Sequence, residues 1–354
     1  MVHRLTVLLA LALVVPPNLA CAQSSLPAGF PIEFGELLPV GADIDNGMLS
    51  DASVGQSGRV CQADYSNQRI SCFSPDGDLL WSTGKQGEGP GEFRGLYRLV
   101  VTPADTVLAY DLVGSIIHII GPDGHFVRRS PLPIRFRQVD DLNYSDRGFV
   151  IISGVAPNAG LASDSAVHVF ELRDSLKYVR SFGPLPPSKS KEILAYWGAG
   201  NTRTTGNGDL IYARRFPYEL HIYSPSGVRE RMVIGPEKLK FGPDDAIKIE
   251  NTATSSSVED DTTRNIVIPL TPIPITNEWI LIGRRARKTR MVWLDAIPLT
   301  DQRRPVSFEV PRESPLRALI GVDVSRGYLW AIGYSDDAPS LYRIAYHARR
   351  AAAR

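Results

Sequence analysis

The chain contains 354 residues, and its 39 lysines and arginines are nearly balanced by 38 aspartates and glutamates. This balance excludes a global electrostatic field that would draw the protein to nucleic acid or to an anionic membrane. Helix signals are scarce, and short β-branched and aromatic runs interrupted by Gly, Pro, Asn and Asp indicate an all-β fold.

The first 22 residues have the layout of a secretory signal peptide. A basic start at Met1–Arg4 precedes the apolar run Leu5–Val15, and small residues surround a cleavage point before Gln23. The apolar run is shorter than the roughly 20 residues that a membrane-spanning helix needs. An alternative makes Cys21 a lipidated residue at the new N-terminus. We therefore expect a secreted or periplasmic protein without a transmembrane segment, with a lipid anchor only under this alternative.

Two matching segments follow, and each contains a strand, a hairpin, a second strand and the turn Pro-Asp-Gly. The first segment is Gly58–Gly77, and the second is Thr106–Gly124, at a period of 47 residues. A fixed period of roughly 40 to 50 residues of strands is typical of a β-propeller, whose blades cannot bury their faces alone. We predict a six-bladed β-propeller of four-stranded antiparallel blades over residues 43–348, followed by a basic tail at 349–354.

The N-terminal segment 23–42 contains one more predicted strand, at Pro31–Leu38. We expect this strand to complete the last blade and so to join the two ends of the ring, because closure removes open sheet edges. Two stretches, Ser188–Trp197 and Gly235–Ile249, are each interpreted as a short helix or a lid between blades.

The connector Gly84–Phe93, with the sequence GKQGEGPGEF, resembles the connector of NHL-repeat six-bladed propellers. The flanking segments Ala63–Ile70 and Phe73–Gly77 are also similar to the NHL repeat. The resemblance is close over blades one and two, partial in blade four, and faint in blades three, five and six. It implies the propeller fold, but the weak blades lack the repeat aspartate, and Arg214 or Arg215 stands near its place in blade four.

Both repeats end a strand with an aspartate just before a tight turn. The carboxylates of Asp64 and Asp111 are expected to accept hydrogen bonds from turn N–H groups, as in an Asx turn. Gly77 and Gly124 are expected to supply positive φ at the turn that follows Pro-Asp.

Two cysteines, Cys61 and Cys72, remain after signal cleavage. If Asp64 pairs with Arg69 across the turn, then these cysteines face each other on neighbouring strands. Directly opposed residues lie close enough for a cross-strand disulfide, which an oxidising compartment would preserve. The alternative is a pair of reduced cysteines packed in the core as small hydrophobic side chains.

Three histidines, His118, His168 and His221, occupy the same repeat position near the end of the third strand of their blades. Equivalent positions in a propeller are spread around the ring, so these side chains cannot meet at one metal ion. We therefore predict no metal site and no cofactor from them.

The mouth of the central channel is the predicted ligand site, because pockets combine apolar walls with a few polar groups. Asp140 and Asp141 stand out because they lie on the innermost strand of blade three. The candidates by position are Tyr97, Arg98, Arg137, Asp140, Asp141, Tyr196, Trp197 and Arg317.

A basic run occupies the predicted hairpin turn of blade five. It is interpreted either as a solvated turn or as a patch for an anionic partner. Its members are Arg284, Arg285, Arg287, Lys288 and Arg290.

The sequence contains no G-x-S-x-G nucleophile motif and no recognisable set of catalytic residues. We expect a ligand- or protein-binding module that recognises a protein, peptide or carbohydrate, with no nucleic-acid partner. The alternative is a metal-dependent hydrolase or lyase that holds Ca²⁺ or Zn²⁺ in the channel.

Overall fold

The computed structural model describes residues 26–41, 43–156, 160, 164–186, 199–235, 267–286, 291–299, 303–311, 314–335 and 338–349. These residues form 24 strands. Within these ranges, no helix has the length and apolar character needed to cross a membrane. The two stretches predicted as short helices or lids lie outside the described residues, except for Gly235.

The strands are β1 (Ile32–Val40), β2 (Leu49–Val54), β3 (Val60–Asp64), β4 (Arg69–Phe73), β5 (Leu79–Thr83), β6 (Leu96–Val101), β7 (Val107–Asp111), β8 (Ile116–Ile120), β9 (Phe126–Pro131), β10 (Gln138–Tyr144), β11 (Phe149–Val155), β12 (Ser165–Leu172), β13 (Leu176–Pro184), β14 (Gly200–Thr204), β15 (Leu210–Arg214), β16 (Glu219–Tyr223), β17 (Arg229–Ile234), β18 (Val267–Pro274), β19 (Trp279–Ala286), β20 (Met291–Pro298), β21 (Val306–Glu309), β22 (Leu316–Asp323), β23 (Tyr328–Ser335) and β24 (Ala338–Ala348).

The strands form six antiparallel sheets of four strands each, so the predicted six-bladed β-propeller is confirmed. The innermost strands β2, β6, β10, β14, β18 and β22 contact one another in that order, and β22 contacts β2 to complete the circle. We call the end of the channel where the inner strands begin the near mouth. The end where they turn into the second strands is the far mouth.

The last blade is completed by the N-terminal strand. β1 pairs antiparallel with β24, with Ile32 opposite Ala348 and Val40 opposite Leu341. β1 is therefore the outer strand of the sheet that also contains β24, β23 and β22. Hydrogen bonding from the backbone N–H of Arg349 to the carbonyl of Pro31, at 2.9 Å, extends the pairing beyond both strands.

The core lies between neighbouring blades. Every residue of the second strands β3 and β7 is buried, because each strand is covered by a blade on both faces. Between blades one and two, Ile70 packs in one cluster with Leu99 and Val107. Burial of such a side chain contributes roughly 1.5–3 kcal/mol, and the same arrangement recurs around the ring.

The predicted turn geometry is confirmed in both repeats. Asp64 accepts a hydrogen bond from the N–H of Asn67 at 3.1 Å, and Asp111 accepts one from Val113 at 3.0 Å. Each carboxylate also accepts an N–H from the segment that leads into its inner strand, from Gly47 at 2.9 Å and from Arg94 at 2.8 Å. These aspartates therefore hold the hairpin of a blade against the start of the same blade.

The two cysteines lie opposite each other on neighbouring strands, as predicted. Asp64 pairs with Arg69 and Cys61 pairs with Cys72 on β3 and β4. The structure joins them in a disulfide with a Cα–Cα distance of 4.0 Å. Both side chains are fully buried between blades one and two.

The glycines after Pro-Asp have the expected conformation. Gly77 and Gly124 have φ values of 100° and 85°, which L side chains rarely adopt. A Cβ at position 124 would also approach the ring of Trp81 to within 2.8 Å. The second repeat turn therefore needs glycine for two independent reasons.

Candidate functional site

A β-bulge interrupts the beginning of most inner strands, at the near mouth of the channel. The extra, unpaired residue is Tyr97 in β6, Asp140 in β10 and Arg317 in β22, and Ser50 holds this place in β2. A bulge redirects the side chains around it, and bulges are common beside functional sites. Three of the predicted site residues are therefore bulge residues of three different blades.

Arg98 fastens three inner strands together. Its Nε donates to the carbonyl of Asp140 at 2.8 Å, and its Nη1 donates to the carbonyl of Ser50 at 2.8 Å. The guanidinium also lies over the ring of Tyr97, 4.1 Å from its centre. These contacts with neutral groups fix the position of Arg98. Burial opposes its positive charge, but Tyr97 and the carboxylates of Asp51, Asp140 and Asp141 together raise its pKa.

Asp140 joins blades three and four. Its Oδ2 accepts the N–H of Ala199 at 2.6 Å, and its Oδ1 lies 3.2 Å from the Nη1 of Arg215. Arg215 also donates to the Oδ1 of Asn201 at 3.2 Å. Asp140 is almost completely buried, so this carboxylate is committed to its two neighbours.

The basic run of blade five divides at a bulge between Arg284 and Arg285. Arg284 is only 1% exposed, and its Nε lies 2.7 Å from Oδ2 of Asp295. The hydroxyls of Tyr218 and Ser307 donate to the same carboxylate at 3.1 and 2.7 Å. Arg284 is thus part of the interior between blades four and five, which corrects its placement in a turn patch.

Arg285 belongs to the channel and not to an exposed turn. Burial lowers the pKa of Arg285, and the positive charges of Arg215, Arg317 and Arg98 lower it further. The guanidinium of Arg317 lies over the ring of Tyr334, 3.9 Å from its centre. Arg285 therefore lies within electrostatic range of arginines from three other blades at the near mouth.

The middle of the channel holds a smaller charged layer. Asp51, Asp141 and Arg203 line a chamber of about 20 Å³ to which all six blades contribute. Burial raises the pKa of Asp51 to about 6, and the charge of Asp141 adds to this effect while Arg98 opposes it. Burial also raises the pKa of Asp141, and the charge of Arg203 opposes that rise.

The other predicted residues divide into two groups. The side chain of Arg137 is exposed, and its backbone N–H donates to Val155 at 2.8 Å. No contact joins that side chain to the arginines of the near mouth among the described residues. Five predicted residues lie outside the described residues, namely Tyr196, Trp197, Arg287, Lys288 and Arg290.

The three histidines lie in the third strands of three different sheets. Each is buried and packs against an aromatic ring: His118 is 4.7 Å from Phe93 and His168 is 5.0 Å from Phe136, measured between ring centres. Burial lowers the pKa of His168 to about 4, so the imidazole is neutral near pH 7. In the described part of the chain, no three His, Cys, Asp or Glu side chains are grouped as metal ligands.

Arg215, Arg203 and Asp51 are channel residues that the sequence did not single out. Arg215 carried a signal, because it stands in the hairpin turn of blade four where the repeat aspartate is missing. Asp51 accepts the N–H of Leu99, 48 positions further along the chain, at 2.9 Å. That spacing is close to the repeat period, so an aligned repeat would have placed Asp51 on an inner strand.

No family model matches the chain, and no curated protein matches it in sequence. Membership of the NHL-repeat family therefore stays a prediction.

Solved structures do share the fold. A member of the DUF4221 family from Bacteroides vulgatus has a TM-score of 0.60 at 8% identity, with 91% of this chain and 99% of that chain covered. A protein described as exported, from Bacteroides fragilis, has a TM-score of 0.58 at 12% identity, covering 92% and 97%. An inactive variant of virginiamycin B lyase from Staphylococcus aureus, with quinupristin, has a TM-score of 0.52 at 9% identity, covering 86% of each chain. At these identities the similarity shows the fold alone.

Proposed function

We propose that this protein is an exported ligand-binding propeller, and that the near mouth of its channel binds an anionic ligand. The observation that carries the proposal is the charge at this mouth. Arg285 senses the positive charges of Arg215, Arg317 and Arg98. Asp140 pairs with Arg215, and the buried carboxylates of Asp51 and Asp141 lie within electrostatic range of Arg98.

Holding like charges close together in a partly desolvated channel costs free energy. Their mutual repulsion is stronger there than in water, because the surrounding protein has a lower dielectric constant. A bound anion removes this repulsion. Guanidinium groups match the geometry of carboxylate and phosphate oxygens through paired N–H donors. The ligand is therefore a molecule that presents carboxylate or phosphate groups, such as an acidic saccharide or an acidic peptide.

The stacked tyrosines support a binding role. Tyr97 and Tyr334 each lie against a guanidinium, and cation–π contacts of this kind hold arginine side chains in position. An arginine that is already ordered loses less conformational entropy when a ligand binds. The near mouth thus has a preorganised anion site.

The described residues of the near mouth do not fit Ca²⁺ or Zn²⁺. Calcium needs six to eight oxygen ligands, and zinc needs about four N, S or O ligands. The carboxylate of Asp140 is occupied by Arg215 and by the N–H of Ala199. Four guanidiniums would also repel a divalent cation. We therefore propose that the near mouth binds a ligand and does not support metal-dependent hydrolase or lyase chemistry.

Isothermal titration calorimetry with citrate tests the proposal, with the neutral ester triethyl citrate as the matched ligand control. We expect citrate to bind and the ester not to bind. Arg285→Gln and Arg317→Gln should each weaken citrate binding by about tenfold, the loss expected for one charged hydrogen-bonded contact.

The protein control is Arg304→Gln, which removes the same charge from an exposed position outside the channel. This variant should bind citrate as the unaltered protein does. Equal citrate affinity in all three variants would contradict the proposed site, and so would equal binding of the ester.

A further inference from the structure

The far mouth of the channel opens into a second cavity, of about 310 Å³. All six blades line it, through the ends of their inner strands and the turns that follow. This volume is within the range of small-molecule pockets. The near-mouth arginines 98, 285 and 317 are not among its lining residues, so this cavity is separate from the anion site.

Apolar residues from several blades border this cavity beside polar ones. Val54 and Val322 are half-buried, whereas Val100 and Ile273 are almost fully buried in the core. Apolar surface of this kind favours contact with the apolar body of a ligand over contact with water.

One cation lies in the lining. Among the described residues, Arg203 is the only lysine or arginine that borders the cavity, and it also borders the charged chamber in mid-channel. Its Nη2 donates to the carbonyl of Ile320 in blade six at 2.8 Å. Its Nε is buried without an acceptor in the described part of the chain. Leaving a buried donor without a partner costs about 1–3 kcal/mol.

The rim carries the opposite charge. Asp146 is the only carboxylate among the described lining residues, and its Oδ1 accepts a hydrogen bond from Gln56 at 2.9 Å. This hydrogen bond crosses from blade three to blade one. A second negative group on a ligand would therefore approach Asp146 and be repelled.

We infer that the far mouth is a second binding site, for a small monocarboxylic acid with an aliphatic or aromatic body. The carboxylate accepts hydrogen bonds from Arg203 at the inner end, and the apolar body packs against the half-buried Val54 and Val322. The site is independent of the proposed function, because it uses a different mouth and different residues.

Calorimetry with hexanoate, hexanamide and adipate tests this inference. We expect hexanoate to bind, and the neutral hexanamide and the dianionic adipate to bind at least about tenfold more weakly. Arg203→Met keeps an unbranched side chain and removes its charge, so hexanoate affinity should fall by about tenfold. Val322→Phe narrows the cavity without touching Arg203 and should also weaken hexanoate binding.

Arg317→Gln is the matched control, since it removes a guanidinium from the near mouth only. It should leave hexanoate affinity unchanged while weakening citrate. No binding of hexanoate to the folded protein would overturn the inference, as would equal affinity for hexanoate and hexanamide. If Arg203→Met does not fold, unchanged hexanoate binding in Val322→Phe would overturn it. Loss of citrate binding alone would count only against the near-mouth site.

Discussion

The carboxylate of Asp51 stabilises the ring by a hydrogen bond, but its burial disfavours its charged form. Its Oδ2 accepts the N–H of Leu99 and so joins the inner strands of blades one and two. Its position in mid-channel removes water from the carboxylate, and this burial raises its pKa to about 6. The favourable hydrogen bond is therefore made by a group whose charged form the channel disfavours.

The pH dependence of stability tests this balance. A carboxyl group whose pKa rises from 3.8 to about 6 on folding makes the folded protein lose stability as pH increases from about 4 to about 6. Asp51→Asn keeps an acceptor for Leu99 and removes the charge. We expect the variant to be more stable than the unaltered protein by about 1–3 kcal/mol at pH 8, and about equally stable at pH 4.

Thermal and urea unfolding at both pH values measure the difference. The exposed Asp78→Asn serves as the control and should change stability little at either pH. A difference for Asp51→Asn that is the same at pH 4 and pH 8 would contradict the assignment of this titration to Asp51.

At the scale of single residues, the sequence predicted the positions that the repeat fixes. Arg98, Asp140 and Arg317 follow from their places on inner strands, because strand order alone puts such residues at the channel. Arg285 was assigned to a turn, but it lies in β19 beside a register shift with β20, and it senses the charges of arginines from three other blades. A bulge depends on tertiary packing, and no periodic pattern in the sequence marks it.

At the scale of elements, the hairpin of blade one shows how local sequence sets register. The repeat aspartate fixes where β3 ends, and the turn with Gly77 fixes where β4 ends, so the partners of the residues on the two strands follow. Cys61 therefore meets Cys72, while Leu108 meets Ile119 at the equivalent place in blade two. The sequence predicted this register and left the choice between a disulfide and two thiols open.

The disulfide makes a measurable contribution to stability. It closes a short loop, because the cysteines are 11 positions apart, and a loop of that length is worth about 2–3 kcal/mol in the chain-entropy estimate. We expect the double variant Cys61→Val/Cys72→Val to lose about this amount in urea unfolding. The reduced unaltered protein should unfold at nearly the same urea concentration as the double variant.

Thiol titration provides the control for that experiment. The oxidised protein should show no free thiol from this pair in denaturant, and two thiols after reduction. Two free thiols before reduction would contradict the bond.

At the scale of the whole molecule, arginine side chains link neighbouring blades near their outer strands. Arg59 donates to Pro122 at 2.6 Å, Arg128 to Asp174 at 2.7 Å, and Arg343 to Pro75 at 2.9 Å, each at a backbone carbonyl of the next blade. These links repeat around part of the ring and supplement the apolar clusters. Blade six also needs β1 as its outer strand, and β1 precedes blade one in the chain.

Disrupting β1 should therefore affect the whole ring. Leu37 is 3% exposed and packs in the cluster of blades five and six. Leu37→Asp would bury an unpaired charge, which costs about 3 kcal/mol or more, and would release the edge of β24. We expect a lower melting temperature and self-association, because an unpaired strand edge can pair with another chain.

Unfolding curves and light scattering measure these two effects. Pro39→Asp puts the same new side chain on the exposed side of β1 and should leave the protein monomeric and stable. A monomeric Leu37→Asp variant of unchanged stability would contradict a closing role for β1.

The pairing of β1 with β24 also imposes an order in time. Among the described strands, β1 is the first and its partner β24 is the last, so their ladder cannot form until the blades between them are available. Until then, β1 has no strand edge with which it can pair. Contacts between such distant segments form slowly compared with hairpins, because a long loop must close first. The nine residues of β1 therefore pair only after β24 has become available, and that pairing closes the ring.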